Sequence, residues 1–255
     1  MSSPSFPSPI LALLAGVLCC LSAQAEVLEI RGMTQPFSLV FDERGDFWGV
    51  EYEEGNRVFS GNAAAGTLSF VAGKKFPGGK KLGDVTEGDG SSPKQARFNG
   101  MHDLAFHPDG RLFLADTFNL RLRVISADGT KVESLSPEAW KSPYTVDIHP
   151  DGKTVLVADL QTYRVLEMDL ESRTVRAVAG NGKRGLPLDG TIATQSPLRG
   201  PRAAIYGADG ETIWIASREG NALRRVDEDG VVTTVVNRSG KKGYGGDGGP
   251  GGEAK

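Results

Sequence analysis

The stretch MHDLAFHPDGRLFLADTFNLRLRVI, Met101 to Ile125, decides the fold. It reads as three short strands separated by two turns. Leu104 and Phe106 lie two apart and so share one face of a strand. Asp109-Gly110 follows as a hairpin signal, because both residue types tolerate positive φ. The same ten-residue opening recurs without gaps as PFSLVFDERG (Pro36 to Gly45), PYTVDIHPDG (Pro143 to Gly152) and PRAAIYGADG (Pro201 to Gly210). Leu39, Leu104, Val146 and Ala204 fall in one column; Phe41, Phe106, Ile148 and Tyr206 fall in another.

Each turn leads into a second strand (DFWGVEY, RLFLAD, TVLVAD, TIWIAS) and then a third (NRVFSG, RLRVIS, YRVLEMD, ALRRVD). A fourth strand completes each unit in GTLSFVAG, GTKVESL, RTVRAVAG and GVVTTVV. Four short antiparallel strands repeated around an axis describe the blades of an all-β propeller. One such sheet cannot bury two apolar faces alone, so stacking against neighbours is required. The expected blades lie near 34–73, 98–136, 141–180 and 198–237 within a propeller region of 26–255. The connecting loops repeat as well: DGSSPKQARFNG (Asp89 to Gly100) matches DGTIATQSPLRG (Asp189 to Gly200), and DGGPGGEAK (Asp247 to Lys255) begins a third copy. The stretch 245–255 therefore reads as the start of another repeat, and the sequence as a truncated product of a larger ring.

Residues 1–25 read as a signal peptide. Ile10 to Leu21 is an apolar run too short to span a bilayer, and Ala23-Gln24-Ala25 is a small-x-small cleavage site. Cleavage after Ala25 implies a secreted or periplasmic protein with no membrane attachment. Both cysteines, Cys19 and Cys20, would leave with the leader, so no thiol, disulfide or Cys-ligated metal is expected afterwards. A net charge of −3 does not favour nucleic acid or an anionic membrane as partner. The basic pairs Lys74-Lys75, Lys80-Lys81, Arg224-Arg225 and Lys241-Lys242 read as solvated loop charge.

Several motifs carry less than their letters suggest. Gly180 to Gly185 (GNGKRG) fits GxGxxG, but Leu186-Pro187-Leu188 follows it where a dinucleotide site needs a helix N-terminus. Asn237-Arg238-Ser239 is a formal glycosylation sequon. His107 and His149 precede Pro-Asp-Gly and read as exposed turn residues. His102 differs: with Asp103 it opens an innermost strand, which in a propeller approaches the axial channel. Phe37, Tyr144 and Arg202 occupy the equivalent position, giving a wall suited to a ligand, and Asp147 lies on the next such strand. One channel histidine falls short of the three protein ligands expected for catalytic zinc.

The segment LADTFNLRLRVI (Leu114 to Ile125) resembles the NHL repeat. In that family an Asp ends the second strand, and an Asn and an Arg follow. Asp116, Asn119 and Arg121 match all three positions; Asp159 and Arg164 match two; Arg57 matches in the first repeat, where Tyr52 stands for the Asp; Ser217 and Ala222 replace both in the fourth. The Asp-to-Arg spacing suggests a bridge across the turn. The resemblance implies a six-bladed, TolB-like or gluconolactonase-like propeller. It fixes no single activity, since NHL propellers serve as protein-binding, RNA-binding and enzymatic domains. The expected role is therefore a binding or scaffold module for a protein, glycan or small molecule, using the loop-bearing face and the insertions Gly73 to Gly100 and Gly180 to Gly200. The alternative is a metal-dependent lactone hydrolase or lyase acting at the axial channel. For that chemistry calcium is the cofactor to consider, with oxygen ligands such as Asp103 and Asp147.

Overall fold

A computed structural model describes residues 30–75 and 88–255. The leader, its cleavage site and Lys80-Lys81 lie outside the described residues. Four antiparallel sheets follow one another along the chain. Blade 1 contains β1 (Pro36–Phe41), β2 (Phe47–Glu51), β3 (Val58–Gly61) and β4 (Ser69–Ala72). Blade 2 contains β5 (Met101–Phe106), β6 (Leu112–Asp116), β7 (Arg121–Ile125) and β8 (Val132–Leu135). Blade 3 contains β9 (Pro143–Ile148), β10 (Thr154–Asp159), β11 (Arg164–Asp169) and β12 (Val175–Ala179). In blade 4 a short β13 (Thr191–Ile192) pairs outside β17 (Val231–Val236), beyond β14 (Pro201–Tyr206), β15 (Ile213–Ser217) and β16 (Ala222–Val226). The first hairpin turn of each blade ends in a glycine at positive φ, as at Gly110 (91°) and Gly152 (72°), where an L side chain would be strained.

The core lies between the blades rather than within any one of them. On β6, Leu112 and Leu114 face Val50 and Val58 of blade 1, while Phe113 and Ala115 face Val155 and Val157 of blade 3. On β10 the alternation repeats, with Leu156 and Ala158 packed toward Ala204 and Ile215 of blade 4. Leu39 is 51% exposed whereas its repeat partner Leu104 is 1% exposed, because among the described residues no blade covers the outer face of β1.

The innermost strands are joined in series by side chains. Ser38 donates to Asp103 Oδ1 (2.6 Å), and Asp103 Oδ2 accepts the Val146 N–H of β9 (3.1 Å). Thr145 Oγ1 and Asp147 Oδ2 then accept the Ala204 and Tyr206 N–H groups of β14 (3.3 and 2.7 Å). These links use edge-strand N–H groups that no sheet partner satisfies. At the opposite end, His107 and His149 do not behave as exposed turn residues. Nε2 of His107 donates to Gly152 O (2.7 Å) and Nε2 of His149 to Gly210 O (3.0 Å), so each ring fastens its turn to the next blade.

The repeat acids act differently from the expected bridge. Glu51, not Tyr52, holds the acid position of blade 1, since Pro36 pairs with Glu51 as Met101 pairs with Asp116 and Pro143 with Asp159. Glu51 binds Arg57 Nε (2.6 Å), the one blade in which the acid and the matching Arg join. Arg121 instead donates to Asn119 O (3.0 Å), and Arg164 to Asn181 O (3.3 Å). The acids pin the backbone just ahead of their own innermost strand: Asp116 accepts Asn99 N–H (2.7 Å) and Asp159 accepts Ser142 N–H (2.8 Å). Asp116 also accepts Asn119 Nδ2 (2.9 Å).

The inter-blade loops dock alike. Gly73 N–H donates to Pro93 O, Gly180 N–H to Ala193 O and Asn237 N–H to Gly251 O, each at the head of a 3-10 turn. Asn237 of the sequon is thereby buried, and its Nδ2 donates to Lys241 O (2.8 Å), so the amide is closed to glycosylation. Arg224 is also buried, against the expectation of solvated charge.

Replacing Asp116 by Ala removes the acceptor of the Asn99 N–H and Asn119 Nδ2 groups beside the buried Arg123; chemical denaturation is expected to show a loss of about 3 kcal/mol.

Candidate functional site

The second residue of each innermost strand projects toward the axis at the end where those strands begin. Phe37, His102, Tyr144 and Arg202 therefore meet there despite their separation in sequence. The His102 ring lies 4.8 Å from Phe37 and 3.9 Å from Tyr144, centroid to centroid. Arg202 stands over the Tyr144 ring at 4.6 Å, and Glu219 holds the guanidinium through Nε (3.2 Å) and Nη2 (2.5 Å). A cation seated on an aromatic face gains from the ring quadrupole.

The turns between second and third strands end at this same level and add residues that the repeat columns did not single out. Tyr52 lies 4.8 Å and Phe118 5.8 Å from the His102 ring. Both follow the acid position, by one residue in Tyr52 and by two in Phe118, and Glu219 is two beyond Ser217. That offset is the signal that locates them.

His102 is buried, and its Nδ1 lies 2.9 Å from both Gly100 O and Thr117 Oγ1. The Thr117 hydroxyl donates to Pro143 O (2.7 Å), so both neighbours of Nδ1 are acceptors. The proton accordingly sits on Nδ1 and leaves Nε2 as a lone-pair acceptor on the other edge of the ring. Burial pushes the His102 pKa down to about 4, and the field of Arg202 acts in the same direction. Tyr52 is pushed up to about 12, first by burial and then by Glu53. Burial drives Glu219 upward, but its bond to Arg202 prevails and holds it below the usual range.

Asp103 and Asp147 do not join this wall as free ligands. Both carboxylates are spent on the inter-strand links, and burial raises Asp103 to about 6. Among the described residues no three His, Asp or Glu side chains converge into a metal-binding group. Asp116, Asn119, Arg121, Asp159 and Arg164 stay with the turns and loop starts described above. A cavity of about 410 Å³ adjoins the wall between blades 3 and 4, lined by Gln161, Tyr163, Arg184, Arg202 and Glu219 among others. Two grooves of about 570 and 580 Å³ lie at the opposite end, among the turns that close the first hairpin of each blade.

No family model matches the chain. Human Teneurin-1 is 30% identical over 153 residues, covering 54% of this chain and 5% of Teneurin-1. Bovine NHL repeat-containing protein 2 is 26% identical over 155 residues, covering 53% of this chain and 21% of its own length. The chain thus spans a small part of these relatives. Among solved structures, an auxiliary nutrient binding protein from Bacteroides ovatus superposes with a TM-score of 0.64 at 18% identity, covering 85% of this chain and 51% of that one. A gluconolactonase from Xanthomonas campestris gives 0.54 at 16% identity, covering 78% and 61%. At such identities the likeness is one of fold. No helix among the described residues is long and apolar enough to cross a membrane. With its in-phase four-stranded blades and its propeller neighbours, the chain has the fold of a β-propeller, and its sequence is similar to Teneurin-1 and to an NHL repeat-containing protein.

Proposed function

We propose that this chain is an exported binding module whose axial wall takes a ring-shaped, hydroxylated ligand, a sugar or a similar small molecule. One observation carries the reading: a neutral His102 with Nε2 free to accept is flanked by aromatic rings and by the Arg202 guanidinium. Aromatic faces stack on the apolar side of a sugar ring, while a neutral imidazole and a guanidinium supply acceptor and donors for its hydroxyls. Arg184 lines the adjoining cavity and extends the donor set. The auxiliary nutrient binding proteins share this architecture, in keeping with a binding role.

A thermal-shift screen of neutral and acidic sugars, followed by calorimetry, tests the reading. Tyr144→Ala and Phe37→Ala are each expected to weaken the bound sugar at least tenfold. Phe37 is 48% exposed, so its replacement should leave stability within about 0.5 kcal/mol of the parent. No sugar bound at millimolar concentration, or unchanged affinity in both variants, would overturn the proposal.

The same geometry sets a pH window. The folded-state pKa of His102 is depressed from 6.5 to about 4, so its contribution to stability is fully present above pH 6.5. That contribution is lost as pH falls through about 4, where the ring also ceases to accept at Nε2. The ring's NMR titration should therefore show a midpoint near 4, and ligand affinity should hold from neutral pH down to that point. A midpoint above 6 would remove the neutral acceptor from the argument.

A further inference from the structure

Blade 4 contains a buried cation that forms no ion pair among the described residues and feels only the more distant charge of Asp189. Arg224 is 2% exposed, and its Nε and Nη1 have no hydrogen-bond partner. Ser217 on the adjacent strand is likewise buried with its Oγ unpartnered. The repeat supplies an internal control. In blade 2, Leu114 pairs with Arg123 and Asp116 with Arg121; in blade 4, Ile215 pairs with Arg224 and Ser217 with Ala222. Arg224 is thus the counterpart of Arg123, and Ser217 stands where blade 2 has Asp116.

Arg123 has carboxylates at ion-pair distance, although its Nε and Nη2 make no well-aligned hydrogen bond either. It lies 3.7 Å from Asp116 and 2.9 Å from Asp89, and it donates to Arg97 O (3.2 Å). Asp189, the counterpart of Asp89, is committed elsewhere: Oδ1 accepts Thr234 N–H (2.7 Å) and Oδ2 faces Arg238 Nε (3.4 Å). A methyl placed on Gly220 would fall 3.0 Å from Ser217 Cβ, 3.1 Å from Arg199 O and 3.3 Å from Arg224 Nη1. The β15–β16 turn therefore packs closely against both side chains.

A buried guanidinium whose one opposite charge is distant and shared with Arg238 is more costly than a missing hydrogen bond. Water satisfies its N–H groups but leaves the charge unbalanced. A small monovalent anion does both, and the Ser217 hydroxyl adds a third donor. We propose that Arg224, Ser217 and the turn at Gly220 form a buried halide site, occupied by chloride in place of the carboxylate that blade 2 carries. The same turn bears Glu219, which holds Arg202 over Tyr144. Chloride therefore steadies the turn behind the ligand wall, although the site stands whether or not a sugar binds there.

The test uses the full chain in sodium chloride, sodium bromide and sodium methanesulfonate at equal ionic strength. Both halides should raise the melting temperature by about 2–4 °C over methanesulfonate, saturably. Crystals grown in bromide should show an anomalous peak within hydrogen-bond distance of Arg224. Ser217→Asp restores the carboxylate and should abolish the halide effect while raising the melting temperature in methanesulfonate. Arg224→Met should abolish the effect by removing the cation, which keeps the test open if the first variant fails to fold. Equal melting temperatures in all three salts, bromide peaks at the surface only, or a halide effect that survives in the variants would overturn the proposal.

Discussion

Everything in this chain depends on the two-faced burial of its second strands. A strand such as β6 sends Leu112 and Leu114 one way and Phe113 and Ala115 the other, and each pair is buried only because a different blade covers it. No sheet here has a core of its own. Stability is therefore a property of the contacts between blades, as in other repeat architectures. The same constraint explains why the polar links concentrate on the innermost strands. Those strands present an unpaired edge toward the axis, and Asp103, Thr145 and Asp147 supply the acceptors that a further strand would have given.

The strands were legible because their signals are local. An apolar column at spacing two, a turn ending in glycine and a repeat in register need no tertiary information. What escaped the sequence depends on geometry between blades. His107 and His149 sit in sequence on turns that read as exposed; only the neighbouring turn's carbonyl shows each to be a fastener. Glu51 was missed because the first repeat carries a longer acid beside a tyrosine, and only strand pairing shows which residue stands opposite Pro36. Arg224 looked like half of a basic pair, yet on a strand its side chain and that of Arg225 point to opposite faces. The two-residue β13 and the 3-10 turns carry too little periodicity to be read at all.

The candidate site was half legible for a related reason. Phe37, His102, Tyr144 and Arg202 share a column, so the repeat itself brings them together. Tyr52, Phe118 and Glu219 come from turns that vary in sequence and reach the wall only through where those turns end. A rigid ring with variable side chains at one level is a general route to recognition. Here the four blades agree in their strands and differ in the residue they present to the axis.

That division also explains how His102 can serve both fold and site. Its Nδ1–H faces Gly100 O and Thr117 Oγ1, and Thr117 in turn donates to Pro143 at the start of the next innermost strand. One edge of the ring is thus fixed by the junction of blades 2 and 3. Because that edge consumes the only proton, and burial opposes a second, the other edge is left as an acceptor whatever approaches it. The tautomer that the proposed binding requires is set by a contact that joins two blades. A phenyl ring at this position would keep the aromatic surface and lose both the junction and the acceptor, so shape alone does not account for a histidine there.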